Sequence, residues 1–126
     1  MPTHNCFAEL HVVLADYSRP DKLSIWTPTQ TALLFQKSIA QSLGLSESAV
    51  RVCGLNTGGA FSGRTSARTH HLIAALLSRK AGRPVKIMAD SDEEFIMCRA
   101  GGRNRYRFKT GVMKDGTIKV IDTEMI

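Results

Sequence analysis

The chain has 126 residues, of which 43% are hydrophobic and 22% are charged, and its formal net charge is +6. This length and apolar content are typical of one compact α+β domain and exclude a second domain of similar size. No apolar run approaches the ~18 residues of a membrane-spanning helix, so we expect no membrane span.

The hydrophobic periodicity and the turn residues predict a series of strands and helices. In chain order these are strands at Cys6–Ala15 and Lys22–Trp26, a helix from about Pro28 to Leu43, a short capped turn at Ser46–Ala49, a strand at Val50–Leu55, a helix at Thr69–Ala81, a strand at Val85–Met88, a short helix after Ser91, and a final hairpin of Arg103–Met113 and Thr117–Ile126. The order β-β-α-β-α-β-(short α)-β-β predicts an α+β fold with helices packed on a mixed sheet.

The helix boundaries are predicted from residues that favour helix ends. Pro28 suits the first position of a helix, and Thr27 or Thr29 can cap its free N–H groups. Gly44 suits the position just beyond its end, and Gly82 ends the helix at Thr69–Ala81. Ser91 and Glu94 have the spacing of a capping box at the start of the short helix.

Three cysteines are far apart in the sequence and show no CxxC spacing: Cys6, Cys53 and Cys98. This argues against a structural zinc site or a disulfide framework and favours a reducing compartment. We expect Cys53 to be an inert core thiol. The first residues do not combine a basic segment with an apolar stretch, so we expect no secretory signal and a cytoplasmic location.

A basic residue occupies every second position from Arg103 to Lys109, with Tyr106 and Phe108 between them. On a strand, this alternation puts the cations on one face and the aromatic rings on the other. The basic face is either a solvated outer face of an edge strand or a docking face for an acidic surface. A nucleic-acid-binding module is a weaker alternative, because stacking platforms need aromatic and basic groups on the same face.

The most informative segment is Asn56–Thr65, called the glycine loop below. It lies between a predicted strand and a predicted helix and holds three glycines within six residues: Gly58, Gly59 and Gly63. A glycine-rich turn before a helix can point free N–H groups at an anion, and Phe61 could form a wall against a planar group. The segment therefore predicts either a binding loop for a phosphate-bearing or strongly polar cofactor, or a tight structural turn.

Gln30 is the second candidate for binding. If the strand at Val50–Leu55 pairs beside the strand that contains Ile25, Gln30 and Phe61 lie at the same end of the sheet. A side-chain amide can donate to an oxo or carbonyl oxygen without adding charge. The alternative is an ordinary solvated residue in the first turn of a helix.

The remaining polar residues favour structural roles. His70 and His71, beside a helix start, are expected to be a surface pair, since no metal-binding spacing such as HExxH is present. An acidic cluster at a helix start favours interaction with the helix dipole over acid–base chemistry: Asp90, Asp92, Glu93 and Glu94.

Several of these segments together resemble one known family. They are, in order, Trp26–Gln30, Ser42–Leu45, Val50–Val52, Gly58–Arg64, Gly82–Lys86, Asp92–Phe95 and Lys114–Gly116. The sequence resembles the molybdenum-cofactor-binding large subunit of the xanthine dehydrogenase and aldehyde oxidase family, which includes aerobic carbon monoxide dehydrogenases. The likeness runs from about His4 to Ile126. Because the family's subunit is several times longer, the resemblance implies that residues 1–126 are an internal fragment of a molybdenum-cofactor-binding domain.

The resemblance implies a role for each matching residue. Gln30 stands where the family has a glutamine that hydrogen-bonds an oxo ligand of molybdenum. The family's loop that approaches the pterin and the metal is matched by Gly59, Ala60, Phe61, Ser62 and Gly63. The pterin dithiolene holds the metal in this family, so the resemblance implies no protein ligand to molybdenum.

The sequence also departs from the family. Ala60 and Ser62 replace glycines, so a positive φ at either would cost energy. Arg64 replaces a lysine, and Thr65 stands where some members have a substrate-binding glutamate. The family's catalytic glutamate lies beyond Ile126, so no catalytic residue is expected in this chain.

The resemblance implies an oxidoreductase that adds water-derived oxygen to an aldehyde, an N-heterocycle or a similar small molecule. Its implied cofactor is a molybdopterin-type molybdenum cofactor, and electrons would pass to iron–sulfur and FAD partner domains or subunits. The other partner would be the remainder of the large subunit, with no nucleic acid. The alternatives are a basic nucleic-acid-binding module and a non-catalytic assembly domain.

Overall fold

A computed structural model describes residues 8–97 and 104–126, which form two compact units. The elements of residues 8–97 are β1 (Val12–Arg19), β2 (Lys22–Pro28), α1 (Ala32–Leu43), a 3₁₀ turn (Glu47–Ala49), β3 (Val50–Leu55), α2 (Thr69–Ala81), β4 (Val85–Met88) and α3 (Ser91–Met97). Residues 104–126 form the hairpin of β5 (Tyr106–Val112) and β6 (Ile118–Met125). The predicted α+β class and element order are confirmed. The predicted strand starts at Cys6 and Arg103 lie outside the described residues.

The first unit is built on a mixed four-stranded sheet with the order β3-β2-β1-β4. Strand β1 is antiparallel to both neighbours, whereas β2 and β3 are parallel, with Ile25 opposite Val52. Parallel neighbours end at the same edge of a sheet. The segments that follow β2 and β3, which contain Gln30 and the glycine loop, therefore start from the same edge.

The core of this unit lies between the sheet and helices α1 and α2. Alternate residues of the strands are buried there, as expected for a sheet with one covered face. The core residues are Val13, Ala15, Tyr17, Leu23, Ile25, Phe35, Ile39, Ala40, Val50, Ala74 and Ala75. Within residues 8–97 and 104–126, no helix has the length and apolar character needed to cross a membrane.

Strand β2 is longer than predicted, and α1 starts later. The predicted first helical residue, Pro28, is instead the last residue of β2 and lies opposite Leu55 of β3. Pairing with β3 therefore overrides the local helix-start pattern. Thr27 is buried in β2 and does not cap the helix, whereas Thr29, the other predicted cap, accepts a hydrogen bond from the Thr31 N–H at 3.2 Å just before α1.

The first strand lies further along the chain than predicted: it ends at Arg19 and not at Ala15, and polar residues near its predicted start are used elsewhere. Strand β1 begins at Val12, and the segment before it carries Glu9 and His11, whose carboxylate and ring bond to other parts of the unit. An extended strand pairs its backbone with its neighbours. In this segment, the His11 N–H donates instead to the Glu94 carboxylate.

The two glycines that follow the long helices are as predicted, whereas the capping box of α3 lies at a different position from the predicted one. Gly44 and Gly82 follow α1 and α2 in the left-handed conformation, with φ of 66° and 64°. At the start of α3, the reciprocal bonds join Asp90 and Glu93 at 2.8 and 3.0 Å. The capping box therefore lies one residue before the predicted Ser91–Glu94 pair, which leaves the Glu94 carboxylate for another contact.

The hairpin separates its charges from its aromatic rings, as the alternation predicts. Arg107 lies opposite Glu124, with 3.0 Å between nitrogen and oxygen, and Lys109 lies opposite Asp122. On the other face, the Tyr106 and Phe108 rings stack with centroids 6.0 Å apart. The basic residues of β5 thus face acidic residues of β6, which is typical of a solvated charged face.

Candidate functional site

The segment after β2 and the end of the glycine loop are bonded to each other. The Gln30 N–H donates to the Arg64 carbonyl oxygen at 3.1 Å, and the Thr29 hydroxyl donates to the same oxygen at 3.2 Å. One residue further along, the Thr31 hydroxyl donates to the Thr65 carbonyl oxygen at 2.8 Å. The expected juxtaposition of Gln30 with the glycine loop is therefore present, and it is fixed by one backbone N–H and two threonine hydroxyls that donate to the loop backbone.

Gln30 lies before helix α1 and not within its first turn, since the helix begins at Ala32. Its side chain is exposed, and within the described residues its amide makes no hydrogen bond. The backbone of Gln30 is held while its amide remains available as a neutral donor and acceptor. The side-chain amide can therefore bind a ligand without first breaking a hydrogen bond within the described part of the protein.

The tip of the glycine loop is strained at two residues that are not glycine. Phe61 has a φ of 41° and Ser62 a φ of 65°, and between them they form the centre of a turn closed by the Gly63 N–H and the Ala60 carbonyl oxygen. Positive φ at both central residues is the pattern of a type I′ turn, which normally takes glycine, asparagine or aspartate. The expected conformational cost is found at Ser62, whereas Ala60 is a buried residue without a positive φ.

The strained tip carries Phe61 to the surface. This side chain is 68% exposed, although the loop that bears it is bonded to buried residues at its base. Backbone strain of this kind costs roughly 1–3 kcal/mol per residue and persists where the surrounding structure over-determines the conformation. The loop therefore holds an aromatic ring in a defined position that a relaxed turn would not favour.

Two of the loop's N–H groups are bonded within the protein. The Gly58 N–H donates to the Glu9 carboxylate at 2.8 Å, and the Gly63 N–H donates to the Ala60 carbonyl oxygen. Neither of these groups is aimed at an external anion. The prediction of N–H groups directed at a ligand therefore does not hold for Gly58 and Gly63, and the polar groups of the site centre on Gln30 and the loop tip.

Two arginine side chains hold the base of the loop. The Arg64 guanidinium is 1% exposed and lies 3.1 Å from the Glu9 carboxylate. The Arg68 guanidinium donates to the Gly63 carbonyl oxygen at 3.0 Å and to the Met97 carbonyl oxygen at 2.7 Å. These contacts join the loop to the segment before β1 and to the end of α3.

His70 and His71 are buried, so the prediction of a surface pair was wrong. Their rings lie 3.9 Å apart between centroids. The His71 Nδ1 accepts a hydrogen bond from the Arg68 N–H at 3.1 Å, and its Nε2 lies 3.3 Å from the Thr27 hydroxyl. Because that hydroxyl donates to the Val12 carbonyl oxygen, the neutral His71 ring carries its proton on Nε2.

A buried pair, His11 and Glu94, lies beside these histidines. The Glu94 carboxylate accepts from the His11 N–H at 2.8 Å and lies 2.7 Å from the His11 Nδ1. The His11 and His70 rings meet edge to face, with centroids 5.3 Å apart. In the described part of the chain, no three histidine, cysteine or acidic side chains form a group able to hold a metal ion.

Burial keeps both neighbouring histidines neutral. It lowers the pKa of His70 to about 4, with further lowering by the neighbouring His11 and Arg68. It lowers the pKa of His71 to about 3, with further lowering by His70 and His11. Neutral, buried rings are suited to packing in the interior beside Arg68, which contacts the glycine loop.

These pKa values predict a loss of stability in mild acid. Between pH 6.5 and about 4, unfolded chains bind protons at His70 and His71 that the folded chain does not bind, so stability falls as the pH falls. The loss is about 1.4 kcal/mol per pH unit for each histidine that is charged only when unfolded. Urea unfolding of the 126-residue chain at several pH values from 7 to 4.5 measures this slope. We expect the His70→Gln variant to show about half of this slope of stability against pH. An unchanged slope would contradict the lowered pKa of His70.

The contacts of several residues at the base of the site were not anticipated: Glu9, His11, Arg64, Arg68 and Glu94. The useful signal was the presence of Glu9 and His11 within a run that is otherwise apolar. Polar groups in such a run need buried partners. Glu94 follows two other acidic residues of α3, so the sequence did not distinguish its buried carboxylate from the exposed ones.

Comparison with known proteins places this geometry in a family. The chain matches the model of the molybdopterin cofactor-binding domain over residues 2–126. It is 32% identical over 120 residues to a xanthine dehydrogenase/oxidase from Gallus gallus, covering 92% of this chain and 9% of that protein. It is 32% identical over 122 residues to an indole-3-acetaldehyde oxidase from Zea mays, covering 94% of this chain and 9% of that protein.

Solved structures share the fold. A quinoline 2-oxidoreductase from Pseudomonas putida 86 superposes with a TM-score of 0.80 at 24% identity, over 98% of this chain and 16% of that one. A CO dehydrogenase from Oligotropha carboxidovorans superposes with a TM-score of 0.77 at 21% identity, over 97% of this chain and 15% of that one. The chain thus spans about a tenth of the length of these curated relatives. The chain belongs to the molybdopterin cofactor-binding domain family.

Proposed function

We propose that this chain forms one wall of the molybdopterin cofactor site of a molybdenum hydroxylase, with Gln30 and residues 59–63 facing the cofactor. The observation that carries the proposal is the parallel pairing of β2 and β3, which brings the Gln30 segment and the glycine loop to one edge of the sheet. The family match supports the identity of the cofactor.

The residues present are suited to such a group. The Gln30 amide is exposed and makes no hydrogen bond within the described residues, so it can donate to an oxygen of the cofactor without adding charge. The loop tip holds the Phe61 ring in a strained, exposed position against which a planar or metal-bearing group can rest. When bound, the cofactor would supply the two-electron redox chemistry, while the chain would supply orientation and preorganised dipoles.

The whole protein would be an oxidoreductase that acts on an aldehyde, an N-heterocycle or a similar small molecule with water-derived oxygen. The relatives named xanthine dehydrogenase/oxidase and indole-3-acetaldehyde oxidase support this substrate class. Because the chain covers 9% of each of them, the rest of the subunit would complete the site and would include the catalytic glutamate. Iron–sulfur and FAD domains or subunits would accept the electrons, and the enzyme would be cytoplasmic.

The hairpin does not favour the nucleic-acid alternative. Arg107 and Lys109 lie opposite Glu124 and Asp122, so acidic residues offset the basic stripe. The aromatic rings of Tyr106 and Phe108 lie on the opposite face, away from the cations. A stacking platform for single strands needs both kinds of group on one face.

Metal and pterin analysis tests the proposed function. We expect the full-length protein that contains this chain, purified from a host that makes the cofactor, to hold molybdenum and pterin in equal amounts. We expect the isolated 126-residue chain to hold neither, because the opposite wall of the site would be missing. A full-length protein without molybdenum would contradict the function, and an isolated chain with stoichiometric molybdenum would contradict the shared site.

A further inference from the structure

We propose that Glu9 is a positioning residue that holds the glycine loop in the conformation that receives the cofactor. The inference rests on the proposed function, because it assigns to Glu9 the ordering of a loop placed at the cofactor. Glu9 lies outside the loop, in the segment before β1, and belongs to none of the motifs that carry the family resemblance. Its carboxylate nevertheless contacts both ends of the loop.

The first contact is at the start of the loop. The Glu9 Oε2 accepts a hydrogen bond from the Gly58 N–H at 2.8 Å. A Cβ at position 58 would lie 3.0 Å from the Cβ of Glu9, which is tighter than ordinary packing. Glycine at this position therefore permits the close approach of Glu9 to the loop backbone.

The second contact is at the end of the loop. The same Oε2 lies 3.1 Å from the Arg64 guanidinium, which is 1% exposed. The guanidinium also donates to the Glu9 carbonyl oxygen, so side chain and backbone of one residue both hold Arg64. A buried cation requires a counter-charge and hydrogen-bond acceptors, and Glu9 supplies both.

Between these two contacts lies the strained tip. Phe61 and Ser62 have positive φ values, and such conformations persist only where the flanking structure fixes them. Glu9 fixes the loop at Gly58 and at Arg64, three residues before Phe61 and two residues after Ser62. Loss of the carboxylate charge would weaken the contacts at both ends at once, and the tip would then relax more readily to ordinary backbone conformations.

The test uses the full-length protein with Glu9→Gln, which keeps the size of the side chain and removes its charge. The matched control is Glu47→Gln, the same change at an exposed carboxylate on the 3₁₀ turn. Hydrogen exchange of residues 56–65 is measured in cofactor-free protein, with the amides of α1 as an internal reference. Molybdenum and pterin content are measured separately in protein from a cofactor-competent host.

We expect Glu9→Gln to raise exchange rates in the glycine loop by about tenfold or more, since the contact at each end loses its charge assistance and is weakened. Exchange in α1 should stay within about twofold of the parent, and molybdenum content should fall to less than about a fifth of the parent value. The control should match the parent in both measurements. Unchanged loop exchange, or a mobile loop with full molybdenum content, would overturn the proposal while leaving the proposed function intact.

Glu9→Gln removes the carboxylate that lies 3.1 Å from the buried Arg64 guanidinium, so the variant could fail to fold. The double variant Glu9→Gln/Arg64→Met removes both charges, and replacement of a buried ion pair by apolar groups is often nearly neutral for stability. We expect it to keep the parental melting temperature and still lose loop protection and molybdenum. Full molybdenum in the double variant would overturn the proposal. A parent protein without molybdenum would instead overturn the proposed function, and the inference with it.

Discussion

Replacing Gly59 by valine should remove molybdenum from the full-length protein while leaving it folded. Gly59 has a φ of 102°, in the left-handed region that side chains rarely adopt and that β-branched residues disfavour most. A valine would therefore force the backbone at residue 59 toward an ordinary conformation and move the tip that carries Phe61. We expect molybdenum per folded subunit to drop to less than about a tenth of the parent value, on a conformational cost of roughly 1–3 kcal/mol at the loop.

A matched control separates the loss of the site from the loss of stability. Gly82, at the end of α2, also has a positive φ of 64°, and an added Cβ there would meet no atom within 4 Å. The Gly82→Val variant therefore incurs a similar backbone cost away from the loop and should keep its molybdenum. Gly63 is a less clean choice, because it is buried at the base of the loop.

Metal analysis with circular dichroism as the fold control decides the result. Normal molybdenum content in Gly59→Val would show that the loop conformation does not matter for the cofactor. Equal loss of molybdenum in both glycine variants would show that stability, and not the site, is responsible. Only selective loss in the loop variant supports the placement of residues 59–63 at the cofactor.

Much of the fold could be predicted because it depends on local signals. The apolar spacing of α2 and the glycines at 44 and 82 predicted α2 and the ends of both long helices correctly, since periodicity and helix-end residues act within a few positions. The prediction that Gln30 and Phe61 lie at the same end of the sheet depended on the pairing of β2 with β3, and that pairing is confirmed. The end of β2 was wrong because Pro28 has a local helix-start pattern but pairs with a strand 27 residues later in the chain.

The base of the candidate site could not be predicted because its contacts join distant residues. Glu94 and His11 are separated by 83 positions, and Arg64 and Glu9 by 55. No local pattern connects such pairs. The strain at Phe61 was equally hidden, since phenylalanine does not favour a positive φ, whereas a cost at Ser62 was expected because it replaces a glycine. The residues that a resemblance could assign were those at the loop tip, while the residues that fix the tip became visible only in three dimensions.

Replacing Gln30 by alanine should lower turnover of the full-length enzyme by roughly 10²-fold, the typical effect of losing one preorganised donor that acts mainly in the transition state. The fold should be almost unaffected, because the Gln30 side chain is exposed and its structural contact is made by the backbone N–H to the Arg64 carbonyl oxygen. Alanine retains that N–H. The expected change in stability is within about 0.5 kcal/mol, as for other exposed positions.

The control for this prediction is Gln41→Ala, the same change at an exposed glutamine on α1. It should leave turnover within about twofold of the parent, because an exposed change away from the site alters stability little. Turnover, molybdenum content and melting temperature are measured together for both variants. A rate loss confined to Gln30→Ala at full molybdenum content would mean that the amide acts on the reaction and is not needed to retain the cofactor. A rate loss that follows the loss of molybdenum would assign the amide to binding, since empty subunits do not turn over. Unchanged rates with full molybdenum would make Gln30 an ordinary solvated residue before a helix, and the site would then depend on the glycine loop without the amide beside it.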